Sequence, residues 1–398
     1  MAWEKETRPS IYFDYAATTP LDKRVWEAMA AFFMEDFGNP SSFHHLGQRA
    51  EAALAKARLR IASEIGGDED EIIFTSGTSE ANNLALQGVA LARKELNGAD
   101  RLLVSAAEHP SVRRAAEHLA KHFNFRLEII PLDRYGRVKP EDVGNRLGED
   151  VALVSVIYAS NEVGTINPVR QIAEICRDAG VPFHSDAAQA MAHLGISVRQ
   201  DGVDLLSFGA HKFYGPKGIG ALYVRKGTPL LPLVLGGEQE AGRRAGTESV
   251  PLAVGMARAL EIIRADLDEE GERLARLRDR LIAGVLRDVP GAVLTGDPQG
   301  RLPNHASFVF PGVDSNMLLM LLDSEGFACS SSSACKVGDV EPSEVLLAMG
   351  IEPSLAKGAL RVTLGRGSDE LSIDALLGKL PAIIEQARAL SFTESYVV

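Results

Sequence analysis

The stretch DLLSFGAHKFYGPKGIGALYV, residues 204–224, decides the fold. An apolar run that ends at Phe208 predicts a buried strand, the glycine-rich turn GPKGIG follows, and residues 221–224 predict a second strand. Lys212 lies between the two strands, directly after His211. Partial burial at this position would lower the pKa of the lysine amine and free it to attack a carbonyl carbon, as in Schiff-base chemistry. Most lysines followed by an aromatic residue are surface lysines with a packed stem, so the stretch alone leaves both interpretations open.

Further apolar runs lie on the N-terminal side of this stretch. They are IIF from Ile72, LLVS from Leu102, LEIIPL from Leu127, VALVSVIYAS from Val151 and VPFHSDAA from Val181. Continuous apolar runs separated by helix-length segments indicate a mostly parallel sheet with helices on both faces. The predicted fold class is therefore α/β, and ligands of such sheets bind at the carboxyl ends of the strands.

The chain is expected to form two domains. A large domain of residues 15–262 contains the parallel sheet, and residues 1–14 together with residues 263–398 form a smaller α+β domain. The charged segment ADLDEEGERLARLRDRLIAGVLR, residues 265–287, has the pattern of a long amphipathic helix and is the predicted connector.

Composition excludes several classes of protein. The chain has 398 residues, of which 45% are hydrophobic and 24% charged, as is ordinary for a globular protein. A net charge of −12 argues against nucleic acid or an anionic membrane as the main partner. No apolar run approaches the length of a membrane span, and the N-terminus lacks the apolar core of a signal peptide. We therefore expect a cytoplasmic protein.

A hydroxyl-rich motif, FTSGTSEANN at residues 74–83, follows one predicted strand and opens a helix. Thr78 and Ser79, together with free backbone N–H groups at the helix N-terminus, can bind a phosphate group with help from the helix dipole. An ordinary helix N-cap uses the same residue types, so both interpretations remain open for this stretch.

Other strand ends carry polar side chains. His109, after LLVS, is either a solvated loop residue or a group that stacks on an aromatic ligand and transfers protons near neutral pH. Asp186 is either a helix cap or a buried anion that holds a proton on a ring nitrogen. Gln189 would reach the same ligand if a helix begins there, and Asn161 follows the longest apolar run.

Together these motifs supply a phosphate cup, a ring-stacking histidine, a carboxylate for a pyridinium nitrogen and a Schiff-base lysine. Pyridoxal 5'-phosphate needs this set of groups. The cofactor acts as an electron sink for a carbanion at Cα of an amino acid, and the paired carboxylate keeps the sink effective. The predicted cofactor is therefore pyridoxal 5'-phosphate.

The order and spacing of the motifs resemble those of the cysteine desulfurases, which belong to the fold-type I, class V aminotransferase-like enzymes. The similar segments extend almost from end to end and are DYAATTP, GNPSS with His44, FTSGTSEANN, EHPSV, SNEVGTINP, HSDAAQ, HKFYGPKGIGALY, GGEQEAGRRAGTESV, SSSSAC with EPSEVL, and LRVTLGR. The resemblance implies an enzyme that removes sulfur from L-cysteine and releases L-alanine.

The resemblance also implies roles around the cofactor ring. Lys212 would bind the cofactor covalently, and Asp186 would pair with the ring nitrogen. His109 would stack on the ring and act as an acid–base group. Asn161 and Gln189 would bond the ring oxygen or lie beside it, and Asn161 would also contact the substrate. Either Lys212 or His109 would take the proton from Cα of the substrate.

Other implied roles concern the phosphate group and the substrate carboxylate. Thr78, Ser79 and His211 would bind the phosphate group. Thr247, in the RRAGT motif, would reach the phosphate group of the partner subunit, which implies a homodimer with shared sites. Arg361 would bind the substrate carboxylate, a bidentate task that suits a guanidinium group.

One position departs from the family pattern. The family usually places a phosphate-binding serine three residues before the lysine, and this chain has Gly209 there. Ser207 points the same way on a strand but lies too far back to be assumed a substitute. The backbone N–H of Gly209 can still contact the phosphate group, so we expect somewhat weaker cofactor binding with function retained.

Cys335 separates the desulfurase interpretation from its rivals. It precedes a polar, glycine-containing segment that is expected to be exposed and mobile, so its thiol could take the substrate sulfur as a persulfide and carry it outward. The alternative is that Cys335 is merely a small residue in a loop and takes no part in the reaction. Cys176 is expected in the core and Cys329 near the base of the same loop, and no second ligand pair completes a zinc site.

Other functions remain open from the sequence. An aminotransferase or a selenocysteine lyase would use the same cofactor without needing Cys335. A non-catalytic sulfur carrier with this fold would bind no cofactor, and the set of Lys212 with Asp186 argues against it. A desulfurase would pass its sulfur to an acceptor such as an iron–sulfur scaffold or a tRNA-thiolation protein, and the acceptor is not readable from these residues.

Overall fold

The computed structural model describes residues 10–331 and 342–394. The strands, in chain order, are β1 (Ile11–Tyr12), β2 (Ile72–Thr75), β3 (Arg101–Ser105), β4 (Arg126–Ile130), β5 (Val151–Ser155), β6 (Phe183–Asp186), β7 (Leu205–Gly209), β8 (Gly220–Val224), β9 (Val293–Leu294), β10 (His305–Val309), β11 (Phe327–Ala328) and β12 (Ala359–Thr363).

The α-helices connect and cover these strands. They are α1 (Lys23–Met29), α2 (Ala31–Met34), α3 (His45–Ile65), α4 (Thr78–Asn83), α5 (Val89–Asn97), α6 (Pro110–His122), α7 (Pro140–Gly144), α8 (Val169–Asp178), α9 (Val198–Asp201), α10 (Val250–Ala265), α11 (Leu267–Asp288), α12 (Ser315–Ser324), α13 (Glu344–Ala348), α14 (Pro353–Ala356) and α15 (Glu370–Glu394).

A seven-stranded sheet forms the centre of the larger part of the molecule, with the strand order β2-β8-β7-β6-β5-β3-β4. Neighbouring strands are parallel except at β8, which is antiparallel to both β2 and β7. Residues 210–219 join β7 to β8, and this connection is shorter than the dozen or more residues that a parallel crossover needs. The prediction of an α/β fold with a mostly parallel sheet is confirmed.

Both faces of this sheet are buried, as alternate side chains of β7 show. Leu205 packs into a core with helices α4, α5 and α6, whereas Leu206 and Phe208 pack into a core with α3, α8 and α10. Successive side chains of a strand point to opposite faces, so a strand that is covered on both sides is apolar at consecutive positions. This burial fixes β7 in place and positions the short turn that carries Lys212.

The described chain also contains two small sheets, which lie outside the large one. One has the order β12-β10-β9, and the other pairs β1 with β11 in parallel, so Ile11 and Tyr12 lie beside a strand from the C-terminal part. Helices α11, α12 and α15 cover these strands around a separate apolar core. Helix α11 occupies the segment for which the sequence predicts a connector, and the predicted domain boundaries stay a prediction.

Among the described helices, none combines the length and the apolar composition that crossing a membrane requires. The prediction of a cytoplasmic location is not addressed by this observation and stays a prediction.

Two leucines of α15 test how the small core stabilises the fold. Leu376 is fully buried, whereas Leu371 in the same helix is 78% exposed. We expect Leu376→Ala to lower the free energy of unfolding by about 2–5 kcal/mol, because it removes buried methyl groups and leaves a cavity. Leu371→Ala should change it by less than about 0.5 kcal/mol. Denaturant titration of both variants measures the difference, and equal effects would contradict the packing described here.

Candidate active site

A cavity of about 620 Å³ lies at the carboxyl ends of the central parallel strands. Strands β5, β6 and β7 end beside it, as expected for a ligand site in an open α/β sheet. Its lining brings together most of the residues that the sequence predicts for the site, which are Thr78, Ser79, His109, Asn161, Asp186, Gln189, His211, Lys212 and Arg361.

Two further predicted site residues are described but do not line the cavity. Gly209 ends strand β7 and packs against Thr78 beside the cavity. Thr247 is exposed and does not line the cavity of its own protomer. Cys335 lies outside the described residues.

Lys212 ends a single helical turn that follows strand β7. Its Nζ donates hydrogen bonds to the carbonyl oxygens of Ala16 at 2.6 Å and Ala17 at 2.9 Å. Burial lowers the pKa of the Lys212 amine to about 8, and the positive charge of Arg361 acts in the same direction. About a tenth of the amine is therefore neutral, and nucleophilic, at pH 7, far more than for an exposed lysine.

The DYAATT segment near the start of the chain holds the lysine turn in place. The hydroxyl and the backbone N–H of Thr19 each donate to the carbonyl oxygen of His211 at 3.0 Å, and the N–H of Tyr214 donates to the Thr19 hydroxyl at 2.7 Å. Gln189 donates through Nε2 to the carbonyl oxygen of Ala16 at 2.8 Å. This motif is one of the segments that resemble the cysteine desulfurases, but the sequence predicted no role for any of its residues.

Asp186 is buried at the end of strand β6 and accepts a hydrogen bond on each carboxylate oxygen. The backbone N–H of Ala188 donates to Oδ1 at 2.9 Å, and Nδ2 of Asn82 donates to Oδ2 at 2.7 Å. An ionised carboxylate in this position can pair with a protonated ring nitrogen, as the sequence predicts.

His109 caps the N-terminus of helix α6. Its Nδ1 accepts the backbone N–H of Ser111 at 3.1 Å and lies 2.8 Å from the Ser111 hydroxyl oxygen. Burial lowers the pKa of the ring, Asp186 opposes that shift and Lys212 adds to it. The His109 ring therefore favours its neutral form more than an exposed histidine does.

The part of the cavity at the start of helix α4 has the features of a phosphate site. The Thr78 hydroxyl, at the start of helix α4, is buried and has no hydrogen-bond partner within the described residues. A Cβ atom built on Gly209 would lie 2.5 Å from this hydroxyl oxygen, so any side chain at position 209 would have to displace Thr78. Ser79 and Lys217 line the same region, and burial lowers the pKa of His211 to about 4. A buried unpartnered hydroxyl beside a helix N-terminus suits an anionic ligand, so the residues present fit pyridoxal phosphate.

Arg361 on strand β12 brings a guanidinium group to the cavity wall. Its Nη2 donates to Oδ1 of Asp14 at 2.9 Å and its Nη1 donates to the carbonyl oxygen of Asn161 at 3.0 Å. Its Nε is buried and has no partner within the described residues. These two bonds fix the plane of the guanidinium group and leave other N–H groups for a carboxylate ligand. Asp14 is a further residue to which the sequence reasoning gave no role.

A second cavity of about 490 Å³ shares His109, Asn161 and Arg361 with the first. Burial raises the pKa of two carboxyl groups on its wall, to about 8 for Glu108 and to about 7 for Glu162. Ser331 and Ser343, which flank the segment that contains Cys335 in the sequence, line its edge, and the Ser343 hydroxyl donates to Glu162.

Comparisons with known proteins agree with this geometry. Residues 11–376 match the family model for class-V aminotransferases. The chain is 44% identical over 381 residues to cysteine desulfurase IscS from Dictyoglomus turgidum, and the match covers 96% of each protein. A solved NifS-like protein has a TM-score of 0.88 and 36% identity, covering 95% of this chain and 100% of that one. The structure of SspA in complex with cysteine has a TM-score of 0.78 and 33% identity, covering 89% of this chain and 98% of that one.

The chain belongs to the class V aminotransferase family. Within that family it is a member of the cysteine desulfurase group, to which the IscS relative belongs. The family and the enzyme class predicted from the sequence motifs are thereby confirmed. The individual role of each site residue stays a prediction.

The lowered pKa of Lys212 leads to a test on the apo protein. Only the neutral amine attacks the aldehyde of pyridoxal phosphate, so the rate of cofactor incorporation should rise with pH and reach half its maximum near pH 8. Arg361→Gln removes a positive charge that disfavours the lysine cation, so the midpoint should move to higher pH. Absorbance of the bound cofactor measures the rate.

The exposed lysine Lys226 supplies the control for this measurement. Lys226→Ala should leave the midpoint unchanged. A midpoint near 10, close to that of a free lysine, would contradict the burial of Lys212 as the cause.

Proposed function

We propose that this chain is a pyridoxal phosphate-dependent cysteine desulfurase that converts L-cysteine to L-alanine and transfers the sulfur to Cys335. The observation that carries the proposal is the meeting of Lys212, Asp186, His109 and Arg361 around one cavity. A nucleophilic amine, a buried carboxylate, a neutral imidazole and a guanidinium group are the groups that an amino acid substrate and this cofactor require.

Several residues would hold the cofactor. The Lys212 amine would attach to its aldehyde carbon, Asp186 would pair with the ring nitrogen, and His109 would stack on the ring. Asn161 and Gln189 would contact the ring oxygen. The phosphate group would be bound by Thr78, Ser79, His211 and the backbone N–H of Gly209, and by Thr247 of a second protomer. When bound, the cofactor supplies an electron sink that stabilises negative charge at Cα of an amino acid.

The substrate would be oriented by its carboxylate. Arg361 retains N–H groups for this carboxylate after its bonds to Asp14 and Asn161. Because those bonds fix the guanidinium plane before substrate arrives, little side-chain entropy is lost on binding. Lys212 Nζ and the His109 ring are the groups positioned to move protons at the substrate, and both have pKa values lowered by burial.

The atoms and electrons of the sulfur transfer balance between the substrate and the Cys335 thiol. The Cβ–S bond of the substrate breaks and a bond forms between that sulfur and Sγ of Cys335. The Cys335 sulfur is oxidised to the persulfide level while Cβ of the substrate is reduced to the methyl group of alanine, and the proton lost by the Cys335 thiol balances the one gained at Cβ. The persulfide would then pass to an acceptor, such as an iron–sulfur scaffold or a tRNA-thiolation protein in the cytoplasm.

Anaerobic turnover with L-cysteine and a thiol reductant tests this function. We expect equimolar sulfide and alanine from the protein, and loss of both from Cys335→Ala with cofactor absorbance unchanged. Cys329→Ala is the matched control and should keep the activity, because burial raises the pKa of the Cys329 thiol and disfavours its thiolate. Turnover that needs a keto acid and ignores Cys335 would favour an aminotransferase and overturn the proposal.

We also propose that two protomers share their cofactor sites. Thr247 is exposed and does not line the cavity of its own chain, so it is accessible to a second chain. The side chains of Phe33, Met34, Phe37 and Phe43 are exposed within eleven residues of chain, with Phe43 97% exposed. An exposed group of large apolar side chains is typical of a protein–protein interface.

Two ion pairs hold the loop that presents Thr247. Glu240 accepts two hydrogen bonds from Arg58 at 2.6 Å and 2.7 Å, although its φ of 51° lies in the left-handed region that a side chain disfavours. Arg244 donates to Glu80 of helix α4 at 2.8 Å. The strained backbone at Glu240 persists because the buried pair fixes it, which suits a loop with a positioning role.

Mixed dimers test the sharing of sites. We expect Lys212→Ala to abolish activity and Thr247→Ala to weaken cofactor binding when tested at limiting cofactor. A heterodimer of the two variants would contain one site with native Lys212 and native Thr247, and one site that lacks both. After random exchange of protomers, about a quarter of the native activity should return, because half of the dimers are mixed and each has one native site. No recovery after confirmed exchange would show that the sites are not shared.

A further inference from the structure

A continuous series of hydrogen bonds connects Asp186 with His109 through two residues that have no assigned role. Asn82 donates through Nδ2 to Oδ2 of Asp186 at 2.7 Å and to the Ser111 hydroxyl oxygen at 2.9 Å. The Ser111 hydroxyl lies 2.8 Å from Nδ1 of His109. Asn82 and Asp186 are buried, so solvent does not compete with the bond between them.

The carboxylate sets the direction of the two bonds that Asn82 makes. Because ionised Asp186 can only accept, the Asn82 side chain must turn its NH₂ group toward it. The second hydrogen of that group then points to the Ser111 oxygen. One lone pair of the Ser111 oxygen accepts from Asn82, which leaves the hydroxyl hydrogen free to be donated to Nδ1 of His109. The opposite amide orientation would place two oxygens against each other at 2.7 Å.

The backbone of Ser111 fixes Nδ1 of His109 as a hydrogen-bond acceptor. Its N–H donates to Nδ1 of His109 at 3.1 Å, and a backbone N–H cannot act as an acceptor. A proton on Nδ1 would face this N–H and the hydroxyl hydrogen together. The neutral ring therefore carries its proton on Nε2, the nitrogen that remains available to a ligand.

We propose that Asn82 and Ser111 are positioning residues that fix His109 as the Nε2–H tautomer, so that the neutral ring acts toward cofactor and substrate as a hydrogen-bond donor. This inference deepens the proposed function, on which its catalytic meaning rests. Lys212 and His109 are the two groups available to take the Cα proton. In the neutral ring of His109, Nε2 already carries a hydrogen and Nδ1 accepts from Ser111, so the ring cannot take this proton. Lys212 is then the base.

Charged groups around His109 act on its protonation as well. Asp186 favours the ring cation and Lys212 disfavours it. The cavity next to the ring is also lined by charged side chains from helix α6, from helix α13, from strand β12 and from two loops, namely Arg113, Arg114, Glu117, Glu344, Arg361, Glu108 and Glu162. The hydroxyl of Ser111 adds a bond that only the neutral ring can accept, so it opposes formation of the cation.

The tautomer is measurable by nitrogen NMR on the full-length protein labelled with ¹⁵N-histidine, in its apo form and loaded with pyridoxal phosphate. The chain has nine histidines, and His109→Gln identifies the signals of position 109 by their loss. We expect the shift of an unprotonated nitrogen at Nδ1 and of a protonated nitrogen at Nε2 in the neutral ring. A neutral ring with its proton on Nδ1 overturns the proposal.

Removal of the hydroxyl tests the direction of the bond from Ser111. In Ser111→Ala the pKa of His109 should rise by roughly half to one unit, because the neutral ring loses one hydrogen bond. If the ring donated to the hydroxyl instead, the same substitution would lower the pKa, and without a bond it would not change. Either of those results overturns the proposal.

Matched variants complete the test. Asn82→Ala removes the group that donates to the Ser111 hydroxyl oxygen. The pKa of His109 should therefore rise, as in Ser111→Ala, but by a smaller amount. Ser324→Ala removes an exposed hydroxyl at the end of helix α12 and should leave the pKa unchanged. The NMR result does not depend on turnover. A protein that releases no sulfide would overturn the proposed function, and only the tautomer or the sign of the pKa change decides this inference.

Discussion

The buried carboxylate of Asp186 is the interaction on which the site depends. A carboxylate removed from water is costly unless donors surround it, and the N–H groups of Ala188 and Asn82 meet that need. The direction of these two donors is fixed, and the hydrogen-bonded series continues through Ser111 to His109, where the Ser111 N–H makes Nδ1 an acceptor. Lys212, which lines the same cavity, donates to two carbonyl oxygens. The cavity thus contains a buried carboxylate held by donors and an amine held by carbonyl oxygens.

The substrate side depends on contacts between distant parts of the chain. Arg361 stands on β12 opposite Ser307 of β10, and its guanidinium group is held by Asp14 from the start of the chain. The small sheets are therefore as necessary to the cavity as the large sheet, because they bring the Arg361 guanidinium group to the ends of the parallel strands. An arginine that is already fixed by its own hydrogen bonds loses little freedom when the substrate binds.

Local sequence patterns predicted the strands of the large sheet and the residues at their ends, because apolar runs and strand-end polar groups are properties of neighbouring residues. The antiparallel direction of β8 also follows from the short connection after β7. The roles of Asp14 and Asn82 could not be predicted in this way. Asp14 acts on a residue 347 positions away, and Asn82 acts on one 104 positions away. Nothing in the composition of either motif indicates which distant side chain it will meet.

Gly209 shows why a departure from a family pattern needs geometry for its interpretation. From the sequence alone, glycine in place of serine removes one phosphate-binding hydroxyl, and this change predicts weaker cofactor binding. In this chain the position beside Gly209 is taken by the Thr78 hydroxyl, which a Cβ at 209 would approach to 2.5 Å. A serine there would displace that hydroxyl before adding its own. Since the Thr78 hydroxyl has no other partner within the described residues, its full hydrogen-bonding capacity is available to an anion. We therefore expect the replacement of serine by glycine to cost less than one phosphate-binding hydroxyl.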